Sequence, residues 1–323
     1  MSWPEGIEAR PIDRGDADAW AELLAAREKV DQEGENYSAQ DLIDELEDPH
    51  VNPALDTIGL WADGQMVAYG KVYAADSVVV DVDRVRTEGT VHPEWRRRDI
   101  GTALMPWLIR RASELHLEKH PDAAGEVRNG AISTNIGADR LLQMFGFEER
   151  RYFFAMKRPL DQPVPEVPLA GGLRIVPFDR SIDELLRVTH NEIFRDHWGS
   201  TPKDPESWNT WFTGARAFRG GSSYVVLDGD TIAAYVLTYE WEADTEVTGI
   251  RELHLGQVGT VRSYRGRGLA RAALAKVLAE AAQAGYQRAG LGVDADNQTG
   301  ALGLYESLGF SVHNKWITYG LPL

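Results

Sequence analysis

The chain has 323 residues, contains no cysteine and carries a formal net charge of −16 at pH 7. The lack of cysteine excludes disulfides, thiolate metal sites and cysteine nucleophiles, and the acidic charge, which no basic stretch offsets, argues against nucleic acid as a partner. The length predicts two domains, and the lack of a long apolar run or a secretion signal predicts a cytoplasmic protein with no membrane partner.

The sequence contains two similar halves. The stretch "IEARPIDRGDADAWAELL" at 7–24 resembles "LRIVPFDRSIDELL" at 173–186. Each half ends in a stretch of the same length that finishes with Pro-Leu, at 146–160 and at 309–323. Self-similarity of this kind predicts two copies of one supersecondary plan.

A segment rich in proline and glycine separates the halves. It reads "DQPVPEVPLAGG" and predicts an extended linker. We therefore predict an N-terminal domain at 1–160, a linker at 161–172 and a C-terminal domain at 173–323.

Each half is predicted to form, in order, a strand, helices, a β-hairpin with a DG turn, a strand, a long helix, a strand, a short helix and a last strand. In the second half the predicted strands lie at 173–177, 224–227, 231–241, 254–261, 289–293 and 315–319, and the helices at 183–194, 269–284 and 299–308. This order predicts the α/β (α+β) class, with two tandem domains that are each a mixed, mostly antiparallel sheet flanked by helices on both faces.

A turn rich in glycine and arginine joins a strand to a helix at "SYRGRGLARAAL", residues 263–274. The strand is predicted to end near Val261 and the helix to begin near Leu269. Gly266 and Gly268 allow the backbone to approach a ligand closely and to adopt positive φ. The turn therefore has the composition of a ligand-binding loop.

The same turn is suited to an anion. The free N–H groups of residues 266–271 lie at a helix start, where the helix dipole attracts negative charge, and Arg265 and Arg267 add positive charge. These features predict a pyrophosphate site, and a glycine turn with solvated arginines is the alternative. The dinucleotide fingerprint GxGxxG and the Walker lysine pattern are both missing, so NAD and ATP lack support.

A second motif, "NQTGALGLYESLGF" at 297–310, follows about thirty residues later. Asn297 is predicted at a strand-to-helix junction, and Tyr305 lies on the short helix that Gly309 ends. A half-buried aromatic side chain with its hydroxyl in water is the alternative interpretation of Tyr305.

The order and separation of these motifs resemble the GNAT superfamily of N-acetyltransferases. The acetyl-CoA loop of that superfamily, Arg/Gln-x-x-Gly-x-Gly/Ala, is matched by Arg265, Gly268 and Ala270. Its later motif, Asn…Ala…LYE…LGF, is matched between Asn297 and Phe310. The match covers nearly all of the second half and is weaker in the first, as in tandem two-domain members, a group that includes mycothiol synthase. Both domains are thus expected to be GNAT-like.

The resemblance implies acetyl-CoA as the co-substrate and assigns roles to residues. Backbone N–H groups around Val261 would polarise the thioester carbonyl, and Asn297 would hydrogen-bond the pantetheine arm. Tyr305 would protonate the departing sulfur, because a phenol with a pKa of about 10 is protonated at neutral pH. The full set of implied cofactor-binding residues is Val261, Arg265, Gly266, Arg267, Gly268, Leu269, Ala270 and Asn297.

The general base is predicted on the strand before the loop, where Glu252 and His254 are candidates. Leu255 stands where some members of the superfamily carry a glutamate. A strand-edge Glu252 and a surface His254 without catalytic roles are the alternative, and a water molecule or Asp196 is another possible base.

Acceptor contacts are predicted in the Trp-rich segment 190–208, where the superfamily builds the wall of its acceptor site. Asp196 and His197 are the candidates to contact an amine there. A structural loop with capped helices is the alternative.

The first half departs from the superfamily pattern. Arg96 to Gly101 align with the loop of the second half, but neither loop glycine is present and Asp99 places a carboxylate at the predicted phosphate position. Pro106 removes a backbone donor within the following helix and is expected to kink it, and Leu142 stands at the position of Tyr305. The first half is therefore expected to keep the fold and to lack catalytic activity. CoA binding by its arginines is the alternative.

The expected function is an acetyl-CoA-dependent N-acetyltransferase that acts on a primary amine of a small molecule. The alternatives are a peptide or protein N-acetyltransferase, a non-catalytic acyl-CoA-binding sensor, and an aminoacyl-tRNA-dependent ligase of GNAT-like fold, which the lack of a basic surface disfavours. Mycothiol synthase itself fits the resemblance, although no residue specifies its acceptor. The histidines show no metal-ligand spacing such as HExxH, so no metal is expected.

Overall fold

The structure is a computed structural model and describes residues 2–78, 82–169, 171–195, 197–198, 200–296 and 300–323. The strands are β1 (Glu8–Arg10), β2 (Thr57–Ala62), β3 (Gln65–Tyr73), β4 (Val82–Val91), β5 (Ala124–Ile132), β6 (Glu148–Pro159), β7 (Leu173–Pro177), β8 (Tyr224–Asp228), β9 (Thr231–Tyr239), β10 (Glu252–Thr260), β11 (Arg288–Asp294) and β12 (Ser311–Pro322). The helices are α1 (Ala17–Asp31), α2 (Ala39–Leu46), α3 (Pro53–Asp56), α4 (Ile100–Lys119), α5 (Ile136–Met144), α6 (Asp183–Ile193), α7 (Pro205–Trp208), α8 (Glu242–Thr248), α9 (Leu269–Gln283) and α10 (Ala301–Ser307).

The chain folds into two compact units. The first unit comprises Met1–Tyr152 and Trp316–Leu323, and the second comprises Phe153–Lys315. This division differs from the predicted domains at 1–160 and 173–323, because the last residues of β12 belong to the first unit and most of β6 belongs to the second.

Burial of apolar side chains explains the division. Ile317 and Tyr319 of β12 lie in the core of the first unit, whereas Met156 of β6 is fully buried in the core of the second. The predicted linker packs against that second core through Val164 and Val167. The 161–172 segment, which has no regular secondary structure where it is described, is therefore part of the second unit.

The first unit is a sheet of strand order β1-β2-β3-β4-β5-β12. β4 and β5 run parallel and the other neighbours run antiparallel. One face packs against α4 through residues such as Leu104 and Leu108, and the other packs against α1 and α2 through Trp20, Leu23 and Leu42. This is the predicted mixed sheet with helices on both faces.

The second unit repeats that arrangement with the order β7-β8-β9-β10-β11-β6. β10 and β11 form its parallel pair. We call the two cores on its faces the α9 core, which contains Leu274 and Leu278, and the α6 core, which contains Trp208 and Phe212. The sequence-based fold class is confirmed in both units.

The helix α9 shows how local sequence sets an element. It consists largely of alanine and leucine, which favour a helix, and it ends just before Gly285, whose φ of +83° suits a helix C-terminus. None of the described helices combines the length and the apolar character needed to cross a lipid bilayer.

Candidate active site

The strands β10 and β11 separate within the second unit. They pair in parallel at the start of β10, and the last pair is His254 opposite Gly290. β10 then continues to Thr260 beside β9, whereas β11 continues to Asp294 beside β6. The two strands therefore leave a gap between them, and the loop predicted to bind a pyrophosphate follows directly after β10.

The loop between β10 and α9 has the backbone of an anion-binding turn. Gly266 and Gly268 have φ values of +75° and +74°, in the left-handed region that favours glycine. A Cβ placed on either glycine would meet no described atom within 4 Å. The amide of Ala272 donates to the carbonyl of Gly268, so the amides of the preceding residues point out of the helix N-terminus.

The loop arginines are held beside the turn by contacts within the protein. Nε of Arg265 donates to the carbonyl of Thr260 at 3.2 Å, and Nη2 of Arg267 donates to the carbonyl of Ser263 at 3.3 Å. The Arg267 guanidinium also lies 5.0 Å from the centre of the Tyr264 ring. Their charge therefore adds to the positive potential of the helix N-terminus.

The amide of Val261 takes part in the sheet, because it donates a hydrogen bond to the carbonyl of Ala233 at 3.0 Å. Successive amides of a strand point to opposite sides. Since the Val261 amide points toward β9, the amides of Val258 and Thr260 point toward the gap left by β11. Among the backbone N–H groups around Val261, that of Val261 itself is thus occupied, whereas those of Val258 and Thr260 face the gap.

Leu269 and Ala270, the last two residues of the predicted cofactor loop, differ in burial. Leu269 is 2% exposed and its side chain packs in the α9 core, so its amide is what it presents. Ala270 is half-buried in the first turn of α9.

Tyr305 is buried in the same core as Leu269. Its ring packs edge-on against Phe310, with 6.1 Å between the ring centres. Burial raises the pKa of Tyr305 to about 12, because the anion would lose its hydration. The hydroxyl is therefore protonated throughout the neutral range, as a general acid requires.

Glu252 is occupied by ion pairs. Its carboxylate contacts the Arg288 guanidinium and lies 3.4 Å from Nζ of Lys157. It also fills the space beside Gly290, where a Cβ would collide with it. These contacts suit a structural role at the start of β10.

His254 lies on the same face of β10 as Glu252, since residues two apart in a strand share a face. Its half-buried ring packs edge-on against Trp241, with 5.2 Å between the ring centres. Burial lowers the pKa of His254 below its usual value of about 6.5, and the nearby Glu252 carboxylate opposes that shift. The imidazole is thus neutral at pH 7, as a general base must be.

Two predicted site residues, Asn297 and Asp196, lie outside the described residues. His197 is described and half-buried, with Nδ1 at 3.2 Å from the carbonyl of Trp198 and its ring 5.3 Å from that of Phe194. It is thus packed within the Trp-rich segment.

Comparison with known proteins decides the family. Residues 184–310 match the model of the Acetyltransferase (GNAT) family. A mycothiol acetyltransferase of Salinispora arenicola is 27% identical over 98% of this chain and 97% of its own length, and one of Thermomonospora curvata is 31% identical over 73% of each chain. The chain belongs to the GNAT acetyltransferase family. A crystal structure of a GCN5-related N-acetyltransferase from Sphaerobacter thermophilus has a TM-score of 0.78 at 26% identity, over 99% of this chain and 97% of that one.

The first unit keeps the loop backbone of a GNAT domain without its glycines. Arg97 and Asp99 have φ values of +64° and +59°, at the positions that align with Gly266 and Gly268. The helix α4 also continues through Pro106. The departures from the GNAT pattern therefore change the side chains in front of the loop rather than its path.

A carboxylate of α1 occupies the polar groups of that first GNAT loop. Nη1 and Nη2 of Arg96, which aligns with Arg265, donate to the two carboxylate oxygens of Asp31 at 2.8 and 2.6 Å. Nδ2 of Asn135 donates to the same carboxylate at 3.2 Å. An aspartate thus takes up Arg96, the counterpart of the Arg265 that is predicted to bind CoA, and Leu142 is buried where the second unit has Tyr305.

Sequence patterns did not reveal a polar pair in the α6 core of the GNAT second unit. Nδ1 of His190 lies 2.6 Å from the hydroxyl oxygen of Tyr235, and both side chains are fully buried. Burial lowers the pKa of His190 to about 3, so the imidazole is neutral. Tyr235 and Tyr239 on β9 face Gly259 and Gly256 on β10, respectively.

Proposed function

We propose that this GNAT acetyltransferase transfers the acetyl group of acetyl-CoA to a primary amine of a small molecule, with the chemistry in the second unit. The observation that carries the proposal is the turn at Gly266 and Gly268. Two left-handed residues there aim the amides of a helix N-terminus at open space, directly after the strand that borders the gap. That arrangement suits the pyrophosphate of a CoA thioester.

The proposed reaction follows from the groups that face the gap. The amine nitrogen attacks the thioester carbonyl carbon, a C–N bond forms, and the C–S bond breaks. The amides of Val258 and Thr260 hydrogen-bond the oxygen as negative charge develops on it. The sulfur leaves as a thiolate that takes the proton of the Tyr305 hydroxyl, and the surplus proton of the amine passes to His254.

His254 is favoured over Glu252 as the base. Its imidazole is neutral at pH 7, whereas the Glu252 carboxylate is held by Arg288 and Lys157. Tyr305 packs in the α9 core, and His254 lies on the opposite face of β10. The acid and the base would therefore approach the reacting centre from opposite sides of the strand.

A small amine is proposed as the acceptor because the full-length relatives are mycothiol acetyltransferases, whose name denotes a small molecule. The acceptor of those enzymes is accordingly one compound to test. The first unit is proposed to be non-catalytic, since Asp31 occupies Arg96 and Asn135, and the residue at the acid position is a buried leucine.

The test is a thiol-release assay with the full chain, acetyl-CoA and a panel of D-glucosamine, spermidine, L-lysine, the acceptor of the mycothiol acetyltransferases and a short peptide. We expect transfer to a small amine and little to the peptide. Tyr305→Phe should lower turnover about 10²-fold and leave the acetyl-CoA KM unchanged. The control is Tyr224→Phe, since Tyr224 is buried in the same core. Binding of acetyl-CoA without transfer to any amine would instead identify a sensor.

A further inference from the structure

Two tyrosines of β9 lie flat against two glycines of β10. A Cβ on Gly256 would lie 2.4 Å from Cε2 of Tyr239, and one on Gly259 would lie 2.5 Å from Cε1 of Tyr235. Neither glycine can therefore carry a side chain while the rings keep these positions. The pairs fix both phenol rings on the face of β10 that also carries His254.

The hydroxyls of these two tyrosines differ in their surroundings. The Tyr235 hydroxyl is paired with His190 at 2.6 Å. The Tyr239 hydroxyl is buried and makes no hydrogen bond with any group that the structure describes. Leaving a buried hydroxyl unpaired costs about 1–3 kcal/mol, so this group is suited to a partner from outside the chain.

The place of Tyr239 indicates which partner that is. Gly256 lies at a register shift between Leu255 and Gln257, just after β10 stops pairing with β11. The Tyr239 ring stacks at 6.0 Å on Trp241, which is 37% exposed and packs against His254. The Tyr239 ring thus lies across β10 where β10 leaves β11, and Tyr239 is the cross-strand neighbour of His254, the proposed base.

We propose that the Tyr239 hydroxyl binds the acceptor amine of the acetyl transfer, its oxygen accepting an N–H hydrogen bond from the amine. This inference rests on the proposed function. One N–H bound in this way leaves the nitrogen lone pair free to face the thioester carbonyl, and the neighbouring His254 can take the proton that the amine releases. Tyr239 is therefore an acceptor-binding residue rather than an acid or a base.

Tyr239→Phe tests this assignment, because the change removes the hydroxyl and keeps the ring against Gly256. If the amine is the missing partner, kcat/KM for the best amine of the panel should fall about tenfold while the acetyl-CoA KM stays constant. The melting temperature should be no lower than in the wild type, since an unpaired buried hydroxyl is removed. Loss of function without loss of stability is the expected signature.

The matched control is Tyr286→Phe, because the Tyr286 hydroxyl donates to Glu240 at 2.7 Å. That variant should lose stability and keep the acceptor kcat/KM. An unchanged acceptor kcat/KM in Tyr239→Phe would overturn the inference, and so would a fall in kcat/KM that comes with a lowered melting temperature.

A binding measurement separates this inference from the proposed function. Saturation-transfer NMR with CoA and the same amines should detect acceptor binding to the wild type that Tyr239→Phe weakens. If the wild type transfers acetyl groups and Tyr239→Phe binds amines equally well, the inference alone fails. If the wild type neither binds nor acetylates any amine of the panel, both proposals fail.

Discussion

Arg158 and Leu308, 150 positions apart in the sequence, are joined by a 2.7 Å hydrogen bond from Nε of the arginine to the main-chain carbonyl of the leucine. Leu308 follows α10, the helix that carries Tyr305. The other guanidinium nitrogens donate to the carbonyls of Pro159, Gln162 and Pro163. A fully buried arginine in β6 thus fixes the end of the helix that holds the proposed acid.

Arg158→Met is expected to destabilise the protein by about 2–4 kcal/mol, because it leaves buried carbonyl groups without donors. Turnover should fall as well, since the end of α10 is no longer held. Urea unfolding and steady-state kinetics measure the two effects. Arg174→Met is the control, because Arg174 is exposed and makes one long contact with the carbonyl of Gly229. Equal stability of the two variants would contradict the assignment.

Gly268→Asp is expected to weaken acetyl-CoA binding by about 2–4 kcal/mol, through repulsion between the carboxylate and the pyrophosphate. Asp99 shows that an aspartate can adopt the left-handed conformation of this position. Gly268→Asn is the matched neutral variant and should lose much less affinity in calorimetry. Equal losses of affinity in the two variants would mean that the side chain itself, and not its charge, prevents binding. Unchanged affinity in both variants would contradict the assignment of this loop as the pyrophosphate site.

The full chain is expected to bind one acetyl-CoA, because Asp31 occupies Arg96 and Asn135 in the first unit. The double variant Asp99→Gly with Leu142→Tyr should still bind one, since it leaves Asp31 in place. Equilibrium dialysis gives the stoichiometry, and Gly268→Asp provides the control that should approach zero. Two equivalent sites in the wild type would contradict the proposed division of labour.

Glu252→Gln is expected to affect stability, whereas His254→Gln is expected to affect turnover and its dependence on pH. Glu252→Gln should lower stability, because Arg288 and Lys157 lose a charged partner, and should leave the pH–rate profile unchanged. His254→Gln should lower turnover and remove the ionisation of the imidazole, which lies below about pH 6.5, from the acid limb of that profile. The reverse pattern would make Glu252 the base.

His190 is expected to make the second unit sensitive to acid. Its pKa is about 3 in the folded protein and about 6.5 in an unfolded chain, so the unfolded state binds more protons between these values. Its contribution to stability is therefore complete above about pH 6.5 and is lost as the pH falls toward 3. His190→Gln should reduce the slope of unfolding free energy against pH by up to about 1.4 kcal/mol per unit.

Tyr235→Phe is the control for that experiment, because it removes the hydrogen bond to His190 and keeps the imidazole that titrates. It should retain the wild-type slope in urea unfolding at a series of pH values. A wild-type slope in His190→Gln would mean that another group causes the acid sensitivity.

Most of the fold could be predicted from local sequence patterns. The repeat, the hairpins and the turn at Gly266 and Gly268 could be predicted because each depends on neighbouring residues. Predicted and observed bounds of the strands and helices in the second half mostly agree within about two residues, although the last strand begins at Ser311 and not at residue 315. The short helix Glu242–Thr248 was missed, because no strong apolar period marks it.

Contacts between distant residues could not be predicted in this way. The pairing of Asp31 with Arg96 joins residues 65 positions apart, and nothing near either residue indicates it. The positive φ of Arg97 and Asp99 is set by the surrounding fold against the usual preference of these residue types. The hydrogen bond from the Val261 amide to the Ala233 carbonyl likewise depends on strand register, which could not be predicted from the sequence alone.

The pairing of residues 316–323 with β5 sets the order in which the molecule can be completed during translation. About 160 residues separate the rest of the first unit from its last strand segment. At roughly 5–20 residues per second, a ribosome needs on the order of 8–30 s to make that interval. The first unit, although synthesised first, therefore waits with one side of β5 lacking its β12 partner until the second unit has been made.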